Sequence, residues 1–249
     1  MIPIDTAPDT TAPDTTAPDI RPWDRRALRI TEEIVDRVEA TDLDRPTPCS
    51  EWTLHKLLAH MIGQNHGFAA AAEGVRTERA DWADREFGDD WAGAFRDSSA
   101  RVARAFAREG VLDTEFWLPE VRGGQMFPAR TAIGFHFVDY VVHGWDVAAA
   151  IGVPAAYEAE LLDAVLPYVE EVPDGSNRLQ PGSSFRPGLA TGSTGRLDRI
   201  LAMLGRSPRW PAEAGEPADA GDAAEAGEPA DAAAPLSGSA GPGEPGAGA

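Results

Sequence analysis

G-F-H-F-V-D-Y-V-V-H-G-W-D-V-A-A-A-I-G, residues Gly134 to Gly152, places His136, Asp139, His143 and Asp146 at steps of three, four and three. On an α-helix of about 3.6 residues per turn those steps put all four on one face. The residues between them are mostly large and apolar: Phe135, Phe137, Val138, Val141, Val142 and Trp145. Burying four such polar groups unpaired would cost several kcal/mol each. The stretch therefore predicts a helix whose polar row serves a metal, a network of partners, or a solvated face.

Spacing limits what the row can bind. Residues at i and i+7 are about 10.5 Å apart along a helix axis, and residues at i and i+4 about 6 Å. A zinc ion holds its ligand atoms at roughly 2.0–2.2 Å. His136 and His143 therefore do not readily share one metal. Asp139 with His143 can, and so can His136 with Asp139 or His143 with Asp146. His136 then reads either as a residue that orients a ligand or as a core histidine. Asp146 reads as half of an ion pair with an arginine, because a fourth protein ligand would close the site.

Working outward, the remaining segments predict five or six helices and almost no strand, an all-α bundle. A first amphipathic helix carries Leu28, Ile30, Ile34, Val35 and Val38, with Asp24 as its N-cap. A second starts at Ser50 and runs to about Ala72, with Leu54, Leu57, Leu58, Met61 and Ile62 on its stripe and His60 among them. A third spans roughly 90–109 and closes at Gly110. Residues 111–130, with Pro119, Gly123, Gly124 and Pro128, read as a long loop. Two further helices cover about 157–171, with Pro167 inside, and 197–204. All five histidines (His55, His60, His66, His136, His143) fall in two of these helices. Two facing helices of a bundle can each supply ligands to a central metal, and His60 is the candidate from the second helix. Gln64 reads as a surface amide, and Trp52 and Trp145 as core anchors.

The ends differ in kind. Residues 1–20 repeat T-A-P-D-T with a period of five, and A-E-A-G-E-P-A-D-A occurs twice, at 212–220 and 224–232. Neither end can bury a core, so residues 1–20 and 211–249 are expected to be disordered tails around a folded domain at 21–210. The net charge is −19, but the ends contribute four and eight acids and no base. The segment between them is only mildly acidic, which argues against a nucleic-acid partner. No apolar run approaches the roughly 18–20 residues that span a bilayer, so no membrane partner is expected. Nothing resembles a secretory signal, and Cys49 is the only cysteine, so no intrachain disulfide is available. A cytoplasmic location is expected. Cys49 reads as a packed residue.

Several motifs resemble one family in order along the chain. They are Thr47-Pro-Cys-Ser-Glu-Trp52, then Leu57-Leu-Ala-His60 with Gly63, then Val138-Asp-Tyr-Val-Val-His-Gly-Trp-Asp-Val147, and the closing Leu201-Ala-Met-Leu-Gly-Arg-Ser-Pro208. Together, over about residues 24–210, they are similar to the metal-binding domain of mycothiol-dependent maleylpyruvate isomerases, in the actinobacterial branch of the DinB/YfiT-like superfamily. The resemblance implies a DinB-like four-helix bundle with additional short helices. It also implies one divalent metal ion, zinc first and nickel or iron next, held by His60, Asp139 and His143. The family's middle ligand is a glutamate, where this chain has the shorter Asp139. The isomerases carry a second, C-terminal domain, and the low-complexity sequence past Trp210 predicts its absence here.

Three functions follow from these readings. The first is a thiol-dependent isomerase or transferase, with mycothiol as cosubstrate and a small-molecule substrate. The second is a non-catalytic metal- or ligand-binding bundle. The third is a metal-free scaffold whose polar face is a hydrogen-bond network. Bundles of this kind often pair through a helix face as homodimers, and no specific interface signal is present.

Overall fold

The computed structural model describes residues 18–49, 52–121, 123–180 and 183–211. The expected tails lie outside these residues except for 18–20 and Pro211, and so does Ser50. Among the described residues six α-helices form: α1 (Arg21–Val35), α2 (Leu54–Ala72), α3 (Trp91–Phe106), α4 (Ala129–Ile151), α5 (Ala159–Glu170) and α6 (Arg196–Met203). The expected helical class holds, with one addition. Inside the presumed loop 111–130, strands β1 (Glu115–Leu118) and β2 (Gln125–Pro128) pair antiparallel, with Phe116 opposite Phe127.

Helices α1 to α4 make the bundle. Helix α1 packs on α3 and α4, and α2 packs on the same two, so the order around the ring is α1–α3–α2–α4. The long connections α1–α2 and α3–α4 therefore cross the diagonals of the bundle. This order sets α2 beside α4, the two helices that carry every histidine. Helix α4 is also covered by α5 and flanked by the hairpin. Enclosure on several sides explains why its sequence is apolar nearly all round, with Phe137, Tyr140, Val141, Val142 and Val147 all buried. It ends at Gly152, whose φ of +73° lets Val153 N donate back to the Ala148 carbonyl at 2.9 Å.

Two helix starts differ from expectation. Helix α2 begins at Leu54, where Thr53 Oγ1 accepts from the Lys56 backbone N–H at 3.3 Å. Helix α1 begins at Arg21, ahead of Asp24, with Pro22 in its first turn. Asp24 is thus not the N-cap. It is only 1% exposed and faces α4 from inside the helix.

The segment after α2 folds back onto it. Residues Arg79–Trp82 form a short 3-10 turn, and Arg85 N–H then donates to the Ala59 carbonyl at 2.9 Å. Two glycines of α2 allow this approach. A Cβ on Gly63 would lie 2.3 Å from the Ala83 carbonyl oxygen, and one on Gly67 would lie 2.3 Å from the Trp82 ring.

Candidate metal centre

Because α2 and α4 are neighbours, His60 meets the polar row of α4. His60, Asp139 and His143 each offer a ligand atom, and these atoms lie within 4.8 Å of one another. His143 is buried, and the other two are partly exposed. Within α4 the i, i+4 step brings His143 Nε2 to 3.4 Å from Asp139 Oδ1. The structure thus assembles the three residues that the resemblance implied, and it leaves His136 out of the set.

The tautomer of His143 follows from its other nitrogen. His143 Nδ1 lies 2.9 Å from Asp146 Oδ2. Asp146 also accepts from Arg206, whose Nη2 lies 3.2 Å from the same oxygen. Asp146 and Arg206 are 0% and 3% exposed. Burial alone would raise the Asp146 pKa, but Arg206 and then the His143 hydrogen bond outweigh it and hold the carboxyl below its usual range. An ionised carboxylate only accepts, so Nδ1 of His143 donates to Asp146 and Nε2 is the nitrogen presented toward Asp139. This is the carboxylate–histidine arrangement typical of metal ligands.

His60 is built the same way from the other side. Its Nδ1 lies 3.5 Å from Asp84 Oδ1, and Asp84 is in turn paired with Lys56 Nζ. Burial, and next the proximity of His143, lower the His60 pKa to about 4, so its imidazole is neutral near pH 7 and able to bind metal. The donor set of two imidazoles and one carboxylate fits a first-row divalent ion with one position left open. Trp52 is half-buried rather than a core anchor. Its ring lies 4.7 Å from His60 and stacks at 6.2 Å on His143, forming one wall of the site.

The remaining sequence candidates have other roles. His136 is a core histidine. Its Nδ1 lies 2.6 Å from Asp24 Oδ1 and its Nε2 3.1 Å from Asn65 Oδ1. Asn65 Nδ2 in turn donates to Ser98 Oγ at 2.9 Å. Tyr140 stacks on the His136 ring at 4.3 Å, and Phe68 and Phe106 meet it edge-on. Gln64 is buried, not a surface amide, and donates to Glu120 Oε2 at 2.8 Å. His55 packs on Phe87, and His66 Nδ1 lies 3.1 Å from Arg101. Cys49 is packed near Arg206, with Sγ 3.6 Å from Nη2, and burial pushes its thiol up to about 11.

Sequence reasoning missed Asp84 and did not name Arg206. Arg206 lies in the closing L-G-R-S-P motif, and the expected arginine partner of Asp146 was a signal for it. Asp84 sits in a charged segment without periodicity, and only the approach permitted by Gly63 and Gly67 brings it to His60.

Comparisons with known proteins bear on the family and the fold. Residues 9–148 match the sequence model described as Mycothiol maleylpyruvate isomerase N-terminal domain. Proteins of two Mycobacterium tuberculosis strains, each described as uncharacterized, are 33% identical over 139 residues, 55% of this chain and 70% of theirs. Among solved structures, a histidine-to-alanine mutant of the mycothiol-dependent maleylpyruvate isomerase aligns with a TM-score of 0.51 at 14% identity. That alignment covers 66% of this chain and 71% of the other, and it supports the shared fold.

Proposed function

The chain belongs to the mycothiol maleylpyruvate isomerase N-terminal domain family, and from that premise we propose that it binds one divalent metal ion through His60, Asp139 and His143 and serves a thiol-dependent isomerisation or transfer. The observation that carries the reading is the meeting of three ligand atoms from α2 and α4 within 4.8 Å. Zinc is the first choice of metal, because two imidazoles, one carboxylate and an open position are the common donor set of catalytic zinc sites. When bound, such an ion supplies a Lewis acid that lowers the pKa of a ligating water or thiol.

The protein's own contribution is placement. Asp146 fixes the ring of His143 and the nitrogen it presents. The depressed pKa of His60 keeps its nitrogen free of a proton near neutrality. Trp52 covers one side of the site and keeps water from it. His60 and Asp139 are partly exposed, so a small thiol such as mycothiol and its substrate would reach a bound ion from that side. A cytoplasmic setting, where low-molecular-weight thiols are kept reduced, suits this chemistry. No described helix is long and apolar enough to cross a membrane.

The test is metal content by plasma mass spectrometry, beside a His143→Ala variant. The expected result is about one equivalent in the parent and little in the variant, followed by thiol binding that requires the metal-loaded form. No metal in the parent after reconstitution with zinc, nickel or iron would end this reading. Metal without any thiol effect would leave a non-catalytic metal-binding bundle.

A further inference from the structure

The two histidines of the trio come from different helices, yet each has a ring nitrogen near a carboxylate outside the trio, and each of those carboxylates carries a cation. On α4 the chain runs His143, Asp146, Arg206, wholly buried and with contacts of 2.9 and 3.2 Å. On α2 it runs His60, Asp84, Lys56, at the rim. The Asp84 segment is held against α2 by several contacts. Gly63 and Gly67, one turn apart on α2, leave room for the backbone at Ala83 and for the Trp82 ring. The Arg85 N–H adds a hydrogen bond to the Ala59 carbonyl, one residue before His60. Lys56, one turn before His60 on the same helix, fixes Asp84 from its other side.

From this geometry we infer that Asp84 is a positioning residue for the metal centre: it accepts from His60 Nδ1–H and so directs His60 Nε2 at the position shared with Asp139 and His143. The inference rests on the metal-binding reading above. A histidine free to turn about its side-chain bonds presents either nitrogen. A carboxylate on one of them selects the tautomer and raises the basicity of the other. His143 obtains this from a residue three positions along its own helix. His60 has no acid at i+3 or i+4, where Gly63 and Gln64 stand, so its carboxylate is delivered by the folded-back segment. Lys56 balances the charge of Asp84, so the arrangement adds direction without adding net charge beside the site.

The experiment measures zinc affinity by competition with a chromophoric chelator for the full chain and for Asp84→Ala, Asp84→Asn and His60→Ala, with melting of the metal-free forms alongside. Cobalt(II) loading gives a second readout through its visible absorption bands. Removing a carboxylate that orients a metal ligand typically lowers affinity by about 10- to 100-fold. That loss is expected for Asp84→Ala, with a smaller loss for Asp84→Asn, which keeps an acceptor oxygen. The metal-free melting temperature should be unchanged, because the side chain lies at the rim, and the cobalt bands should shift. Affinity of Asp84→Ala within twofold of the parent, beside a His60→Ala variant that binds no metal, would overturn the role of Asp84 and leave the metal site standing. A parent that binds neither zinc nor cobalt would overturn both.

Discussion

Arg206 Nη2 lies 3.2 Å from Asp146 Oδ2 with both side chains almost wholly buried, so the end of the described chain is tied by charge to the C-terminal part of α4. Asp146 simultaneously accepts from His143 Nδ1. Removing one partner of a buried pair leaves the other as an uncompensated charge, at a cost of about 3–5 kcal/mol. Asp146→Ala is therefore expected to lower unfolding stability by that amount in urea titrations, and Arg206→Met to do nearly the same. The double variant should lose clearly less than the sum of the two, because neither charge is then stranded. Additive losses would mean that the two side chains act independently.

The helical class, the pairing of α2 with α4 through their histidines, and the trio His60, Asp139 and His143 were all legible in the sequence. Apolar periodicity and the steps between His136 and Asp146 mark the helices, and family motifs single out the trio. What was not legible depends on approaches between segments far apart in the chain. Asp24 follows a Pro-Trp pair and looks like a cap, but the helix starts three residues earlier and turns it to His136. The hairpin strands are only four residues long. The alternation of Phe116 and Leu118 marks one of them, yet the Pro and Gly residues around it read as loop. Asp84 carries no local signal, since its position depends on two missing Cβ atoms on another element.

The metal-free protein should lose stability as the pH falls, and His60 is a cause. Its folded-state pKa is lowered from 6.5 to about 4, chiefly by burial. Below 6.5 the unfolded chain takes up a proton that the folded chain refuses until about pH 4. The stability present above pH 6.5 is thus drawn down between those limits. One pKa unit corresponds to about 1.36 kcal/mol, so the contribution is at most about 3 kcal/mol. Chemical denaturation of the metal-free protein at pH 7.0 and about 5 should show a decline, and His60→Gln should flatten it. An equal decline in parent and variant would remove His60 as its source.

Cys49 should be a poor nucleophile in the folded protein. Burial raises its thiol from 9.0 to about 11 despite the nearby Arg206 guanidinium. Two pKa units reduce the thiolate fraction at pH 8 by about a hundredfold, and the thiolate is the reactive form. Iodoacetamide should label Cys49 at pH 8 at least tens of times more slowly in the folded chain than in urea. Equal rates would show that the thiol is reached by solvent and ionises as an exposed cysteine does.

Gly63→Ala pits two effects of opposite sign against each other. Replacing a glycine inside a helix by alanine gains about 1 kcal/mol of helix propensity. The added Cβ, however, would stand 2.3 Å from the Ala83 carbonyl oxygen and 3.1 Å from that of Trp82. Both obstacles are backbone, so neither can turn aside as a flexible side chain would. Forcing extra atoms into a close-packed contact costs typically about 1–3 kcal/mol. The clash should win, lowering the melting temperature and lengthening the Arg85 N–H bond to the Ala59 carbonyl. Faster amide exchange at Arg85 would report that loosening directly. A Gly63→Ala protein that melts higher, with Arg85 still protected, would mean that the folded-back segment adapts freely and that its seat on α2 is not fixed by this contact.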